Sequence, residues 1–432
     1  MIPKNDKKTI NAWAMYDWSN SVYSLVISSA IFPAYYNEVT RQSGSSRVEF
    51  LGFNIENTAI YSICLGLAFG TVALVSPLLS SISDYSGTHK RFMRFFCYLG
   101  AAACAALFFF TGENLELGLL GLMLATIGYA GSIVFYNAYL PAIATEDRQD
   151  RISARGYAYG YIGSTTLLVL CLGAIINQER LGVTDDTLLP RLSFLVVGLW
   201  WFGFAHLTFR RLPQGIYRKR PEGHYLLNGY RELLKIWRTL QSLPRLKIYL
   251  LAFFFYIMGV QTVMFMAASF GEKEVHLEFT QLIVTIMTLE YVAIAGAFLF
   301  AWLSKRYGNV PALILAVIIW IGICIGAYFI QTAYHFYTAG FFIGLVMGGI
   351  QSLSRSTYSK MIPKTENNAG YFSFYDVCEK VAMMLGLVSF GYLDNLFGSM
   401  RNSIIALGVW FVFGLIFLIR LQYLNLRPLP AD

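Results

Sequence analysis

Charge is what this sequence has least of. Only 13% of its 432 residues are Asp, Glu, Lys or Arg, against about 25% in soluble proteins. Hydrophobic residues make up 56% and the mean hydropathy is +0.53, so too little polar surface exists to cover a water-soluble globule of this size. Chemistry-bearing motifs are missing as well. No Walker loop, paired-histidine metal site or GxSxG elbow occurs, and His89, His206, His224, His276 and His335 are scattered; an enzyme would lack its parts, and no catalytic set, metal or cofactor is expected. The six cysteines sit in apolar stretches without metal-ligand or redox spacing, as packing residues do. The longest hydrophilic stretch is too short for a soluble effector domain, which argues against a transporter-derived nutrient sensor.

What the chain has is long apolar runs. They fall at about 14–36, 59–82, 94–111, 115–140, 155–177, 190–209, 247–268, 280–303, 310–330, 335–354, 371–394 and 402–422. A span needs roughly 20 apolar residues, so each is long enough to cross a bilayer. Runs of this length without ten-residue alternation indicate helices and not a β-barrel. The first run follows Lys4, Lys7 and Lys8 and carries Asp17; it is too long for a cleavable signal and is expected to stay as the first helix. The predicted class is therefore an all-α polytopic membrane protein with twelve transmembrane helices.

The net charge of +8 does not point to nucleic acid. Ten Lys or Arg against Glu222 and Glu232 between Arg210 and Lys247 account for it, leaving the rest of the chain near neutral. With the amino terminus in the cytoplasm, 26 of the 33 basic residues fall on that face and 6 on the other. That asymmetry predicts an inner-membrane protein with both termini cytoplasmic. Landmarks also repeat: Asp84 and Lys305, Pro141 and Pro363, and Gly163 and Gly386 are offset by 221, 222 and 223 residues. The repeat predicts two pseudo-symmetric six-helix bundles, residues 1–209 and 247–432, joined by a basic linker at 210–246. Within that linker, Tyr225 to Leu246 has helical spacing with Arg231, Lys235 and Arg238 on its polar side, suiting a helix on an anionic leaflet.

Polar residues inside spans carry the functional expectation, because a central Asp or Lys costs roughly 2.5–3.5 kcal/mol to insert. Asp17, Asn20, Ser21, Ser24 and Ser28 recur at offsets of 0, 3, 4, 7 and 11 and draw one stripe along an α-helix. The alternative for Asp17 is an interfacial cap beside Tyr16 and Trp18. Asp376, Glu379 and Lys380 project from one side of the eleventh span. One lysine cannot neutralise both acids, so a carboxyl there can hold and release a proton; a static ion-pair network is the other reading. Glu290 lies deep in the eighth span with no base within two turns, so it either carries a proton or meets a partner such as Arg355 or Lys380. Gln261, Tyr136, Asn137 and Gln351 can hydrogen-bond a solute or join helices. The Arg148, Arg151 and Arg155 cluster beside Glu146, Asp147 and Asp150 reads as a solvated loop or as one side of a salt-bridge gate. Gly156, Gly160 and Gly163 form a small-residue packing face.

Three segments carry a family resemblance: Trp13-Ala-Met-Tyr-Asp17-Trp-Ser-Asn20-Ser; Phe135-Tyr-Asn137-Ala-Tyr-Leu-Pro141 with Arg151-Ile-Ser153-Ala-Arg-Gly156; and Gly348-Gly-Ile-Gln351-Ser-Leu-Ser-Arg355-Ser leading to Phe374-Tyr-Asp376-Val-Cys-Glu-Lys380. Together they resemble the major facilitator superfamily branch that includes the yeast vacuolar amino-acid effluxer linked to autophagy. Asp84, Gly87, Lys90 and Arg91 match the superfamily's loop motif, whereas Ser80, Tyr85 and Lys305 depart from it. The resemblance implies alternating access between two six-helix bundles without an ATPase, with amino acids the substrate class of the yeast member; Asp84, Arg91, Arg151, Arg155 and Arg355 are the expected gating residues. The expectation is a monomeric secondary transporter of a small polar solute in contact with membrane lipid, with no nucleic-acid partner; lipid flipping stays open as an alternative.

Overall fold

Hydrocarbon offers no hydrogen bonds to a backbone, so the apolar runs fold into helices that satisfy their own amides. The computed structural model describes residues 4–40, 47–50, 52–214, 225–363, 368–397 and 399–426. Arg41, Arg218, Lys219, Arg220, Glu222, His224, Lys364 and Arg427, which enter the charge and histidine arguments above, lie outside them.

The first passage is composite: α1 (Lys7–Val22), a π-helical stretch (Tyr23–Ile31) and α2 (Phe32–Thr40) follow without a break. The others are α3 (Asn57–Ser86), α4 (His89–Ala106), α5 (Leu115–Ala138), α7 (Glu146–Ile176), α8 (Leu188–Arg211), α10 (Pro244–Val275), α11 (Phe279–Tyr307), α12 (Asn309–Ala327), α13 (Ala333–Met361), α14 (Asn368–Phe397) and α15 (Met400–Leu426). Ten helices among the described residues are long and apolar enough to cross a membrane; the first and eleventh of the apolar runs, which carry Asp17 and the Asp376–Lys380 cluster, are helical but not among the ten. A single turn, α6 (Leu140–Ile143), precedes α7, and α9 (Tyr225–Ser242) occupies the basic linker. The structure adds a small antiparallel hairpin, β1 (Arg47–Phe50) with β2 (Phe53–Glu56), Arg47 opposite Glu56.

Asp6 starts α1 as an N-cap, accepting from the Thr9 amide at 2.8 Å and the Thr9 hydroxyl at 2.7 Å. These bonds favour the charged carboxylate and hold Asp6 below its ordinary pKa. The π-helical stretch alters the expected stripe. Ser29 Oγ donates to the carbonyl of Ser24, five residues back, at 2.9 Å, the spacing of a wider turn. The α-helical stripe therefore ends near Ser24, and Ser28 leaves the line drawn by Asp17 and Asn20.

The chain forms two compact units, residues 1–139 with 159–230, and 140–158 with 231–432. In the first, α1 packs on α8, α4 on α5 and α8, and α3 on α5. Gly160 and Gly163 let α7 approach α1 so closely that a Cβ would stand 2.6 Å from Ser21 Oγ or the Trp18 carbonyl. In the second, α11 packs along α13, α10 along α14 and α15, and α12 along α15. The α11 and α13 backbones touch where Gly344 faces Leu289 and Gly348 faces Ala293. Between α11 and α12 the chain turns on Gly308, whose φ of +94° suits only glycine. That turn sets Ser304 and Asn309 side by side.

Candidate functional site

In the first unit the polar centre forms where α1 meets α5. Tyr136 donates its hydroxyl to Asp17 Oδ2 at 2.6 Å, and its ring stacks on Trp13 with centroids 4.5 Å apart. Trp13 Nε1 donates to the Tyr136 carbonyl at 3.0 Å, so two bonds and a stacked pair fix this tyrosine. Asp17 is 6% exposed and Asn20 1%, which places both inside the bundle. Asn20 Nδ2 has no hydrogen-bond partner. A buried donor left open is uncommon and costs free energy until something accepts from it. Asn137 is buried at the end of α5.

In the second unit the eleventh passage supplies the charge. Lys380 Nζ lies 3.5 Å from Asp376 Oδ1 and 3.9 Å from Glu379 Oε2. Gln261 on α10 donates to Glu379 Oε1 at 3.1 Å. One lysine thus serves two acids, as the helical spacing required. Asp376 is buried, and its Oδ2 has no partner, so an acceptor remains for a proton or a donor group. Aromatic rings wall this region: Tyr375 stacks on Phe253 at 4.3 Å, and Tyr256 and Tyr249 bond to the Ser354 hydroxyl and carbonyl at 2.7 and 2.8 Å. Glu290 is buried on α11 and interacts with its surroundings, and Gln351 is half-buried on α13.

A second cluster in the same unit holds α6 and the start of α7 against α11, α12 and α13. Asp150 accepts from Lys360 Nζ at 2.6 Å, Ser304 Oγ at 3.0 Å and Asn309 Nδ2 at 2.8 Å. Asn309 also bonds Lys360 and Thr357 at 3.0 and 2.9 Å. Arg355, 2% exposed, donates through Nε to Ser153 Oγ and through Nη2 to the Ser153 carbonyl, both at 2.9 Å. Its guanidinium lies 4.3 Å over the Tyr157 ring. Small side chains allow the approach: Ala154 packs against Ala297 and Ala301. Of the loop residues singled out from sequence, Arg148 and Arg151 are exposed and Arg155 half-exposed. The acid Asp150, with Ser153, carries the dock, and Ser304, Asn309 and Lys360 complete it. No local signal in the sequence marks them, because their partners lie more than 150 residues away. In the loop motif, Asp84 pairs with His89 at 2.7 Å and Arg91 is exposed.

Among the described residues, the long apolar helices and the buried polar centres they carry define a polytopic membrane protein of the major facilitator fold. Solved structures agree. The proton:xylose symporter XylE superposes with a TM-score of 0.72 at 11% identity, covering 96% of this chain and 95% of that one. FucP in the outward conformation gives 0.70 at 12%, covering 95% and 98%. Residues 5–425 match the family described as vacuole effluxer Atg22 like, and the chain belongs to it. It is similar to the MFS-type transporter YxiO of Bacillus subtilis, 31% identical over 417 residues, 96% of this chain and 95% of that protein. Autophagy-related protein 22 of Saccharomyces cerevisiae is 23% identical over 427 residues, covering 85% and 77%.

Proposed function

We propose that this protein is a secondary active transporter that moves a small polar solute, an amino acid or a compound of similar polarity, by alternating access coupled to protons. One observation carries the reading: Asp376 is buried in a span with an unpartnered oxygen, beside a lysine already shared with Glu379. With both acids charged the cluster holds one surplus negative charge in a low-dielectric setting. A proton on Asp376 removes it, so the occupied and empty states of the carboxyl differ in their electrostatic cost. Asn20 offers an open donor and Asp17 a fixed carboxylate for a polar solute. The family description of a vacuole effluxer and the symporter named among the structural neighbours support the class. In this proposal residues 1–209 and 247–432 are the moving bundles, both termini are cytoplasmic, and the dock of Asp150 and Ser153 on α11–α13 is the cytoplasmic gate.

Reconstituted protein loaded with candidate amino acids, sugars and peptides tests the proposal by counterflow, with and without an imposed pH gradient. Asp376→Asn is expected to keep counterflow while abolishing gradient-driven accumulation. If Asp376→Asn and Glu290→Gln both accumulate solute as the unaltered protein does, coupling does not run through these acids.

A further inference from the structure

The linker helix α9 is not used by the transport reading, yet its surface is organised. Leu234 and Trp237 are each 57% exposed and three residues apart, so they share one face. Tyr230, 42% exposed and one turn earlier, continues that face. Arg231, Lys235 and Arg238, all exposed, follow each of these by one position and form a basic stripe about 100° further round. Ile236 faces inward, 3% exposed. Depth is fixed by Trp237, whose ring lies 6.2 Å from that of Phe374. Phe374 is six residues into α14, or about 9 Å from its first residue. The helix therefore runs beside the first two turns of α14, at the end of that apolar helix. An apolar stripe there flanked by a cationic stripe fits lipid of opposite charge, and the ten basic residues against two acids from Arg210 to Lys247 add to the attraction.

We propose that α9 is a docking surface for anionic phospholipid, with Leu234 and Trp237 inserted among acyl chains and Arg231, Lys235 and Arg238 on phosphate groups. The full-length protein in nanodiscs tests this. Replacing a quarter of the phosphatidylcholine with phosphatidylglycerol is expected to raise the thermal midpoint by several degrees. The Arg231→Gln, Lys235→Gln, Arg238→Gln triple variant is expected to lose more than half of that rise. Inorganic phosphate added to phosphatidylcholine discs is expected to have no effect. An equal response of variant and unaltered protein overturns the proposal, and so does a phosphate effect equal to that of the lipid, which would mark a free-anion site. A spin label at position 234 gives an independent reading without neutralising any charge. Quenching by lipid-soluble oxygen in preference to an aqueous nickel chelate supports insertion, and the reverse preference overturns it. Neither measurement depends on solute or coupling ion.

Discussion

Neutralising Asp150 is the sharpest test of the dock between the start of α7 and helices α11–α13. The carboxylate is 9% exposed and accepts three hydrogen bonds, one from the Lys360 ammonium at 2.6 Å. Asp150→Asn preserves shape and one acceptor oxygen but leaves Lys360, 22% exposed, without its counter-charge. A fully buried pair broken in this way costs about 3–5 kcal/mol; partial solvation of the lysine lowers the expected cost to about 2–3 kcal/mol. The undocked population should then rise about 30- to 150-fold. A cysteine at Gln149, a buried position 2% exposed beside the dock, reports that population through its reaction rate with a membrane-impermeant maleimide, in a background lacking the native cysteines. When redocking is faster than labelling, the rate scales with the open fraction. Arg148→Gln serves as the control, because Arg148 stands 3.9 Å from Asp147 with both side chains more than half exposed and such pairs contribute about 0–1 kcal/mol. If Asp150→Asn labels at the unaltered rate, the bonds seen at Asp150 do not hold α7 in place and the gating proposal loses its basis.

Two further outcomes follow from the packing. Tyr136→Phe removes the 2.6 Å bond to Asp17 and should destabilise the protein by about 1.5–3 kcal/mol, read as a lower thermal midpoint in detergent; an unchanged midpoint would mean that Asp17 finds an equivalent donor. Gly348→Ala drives a methyl group into the Ala293 carbonyl across the α11–α13 contact and should cost about 1–3 kcal/mol, whereas Gly322→Ala, with nothing within 4 Å of the added carbon, should leave the midpoint unchanged.

The elements of this fold were legible because hydropathy reports a local requirement. A run of apolar residues long enough to cross a bilayer must satisfy its own backbone, and only a helix does so within one segment. The Asp376, Glu379 and Lys380 cluster was legible for the same reason: offsets of three and four residues bring side chains together on any helix. The π-helical turn at Tyr23–Ile31 was not, since it depends on each backbone amide reaching the carbonyl five residues back instead of four, which hydropathy does not report. Nor was the role of Asp150. In sequence it is one acid in a mixed, hydrophilic turn, indistinguishable from the exposed Asp147 three residues before it.

Sequence alone determined the helical membrane class, the concentration of basic charge in one linker and the residues inside apolar runs whose burial demands a partner. Tertiary structure decided the long-range partners: Tyr136 for Asp17, Lys360 for Asp150 and Ser153 for Arg355. Insertion cost depends on a residue's own segment, whereas pairing depends on helices far apart in the chain, brought within 3 Å by the close approach that glycine and alanine permit.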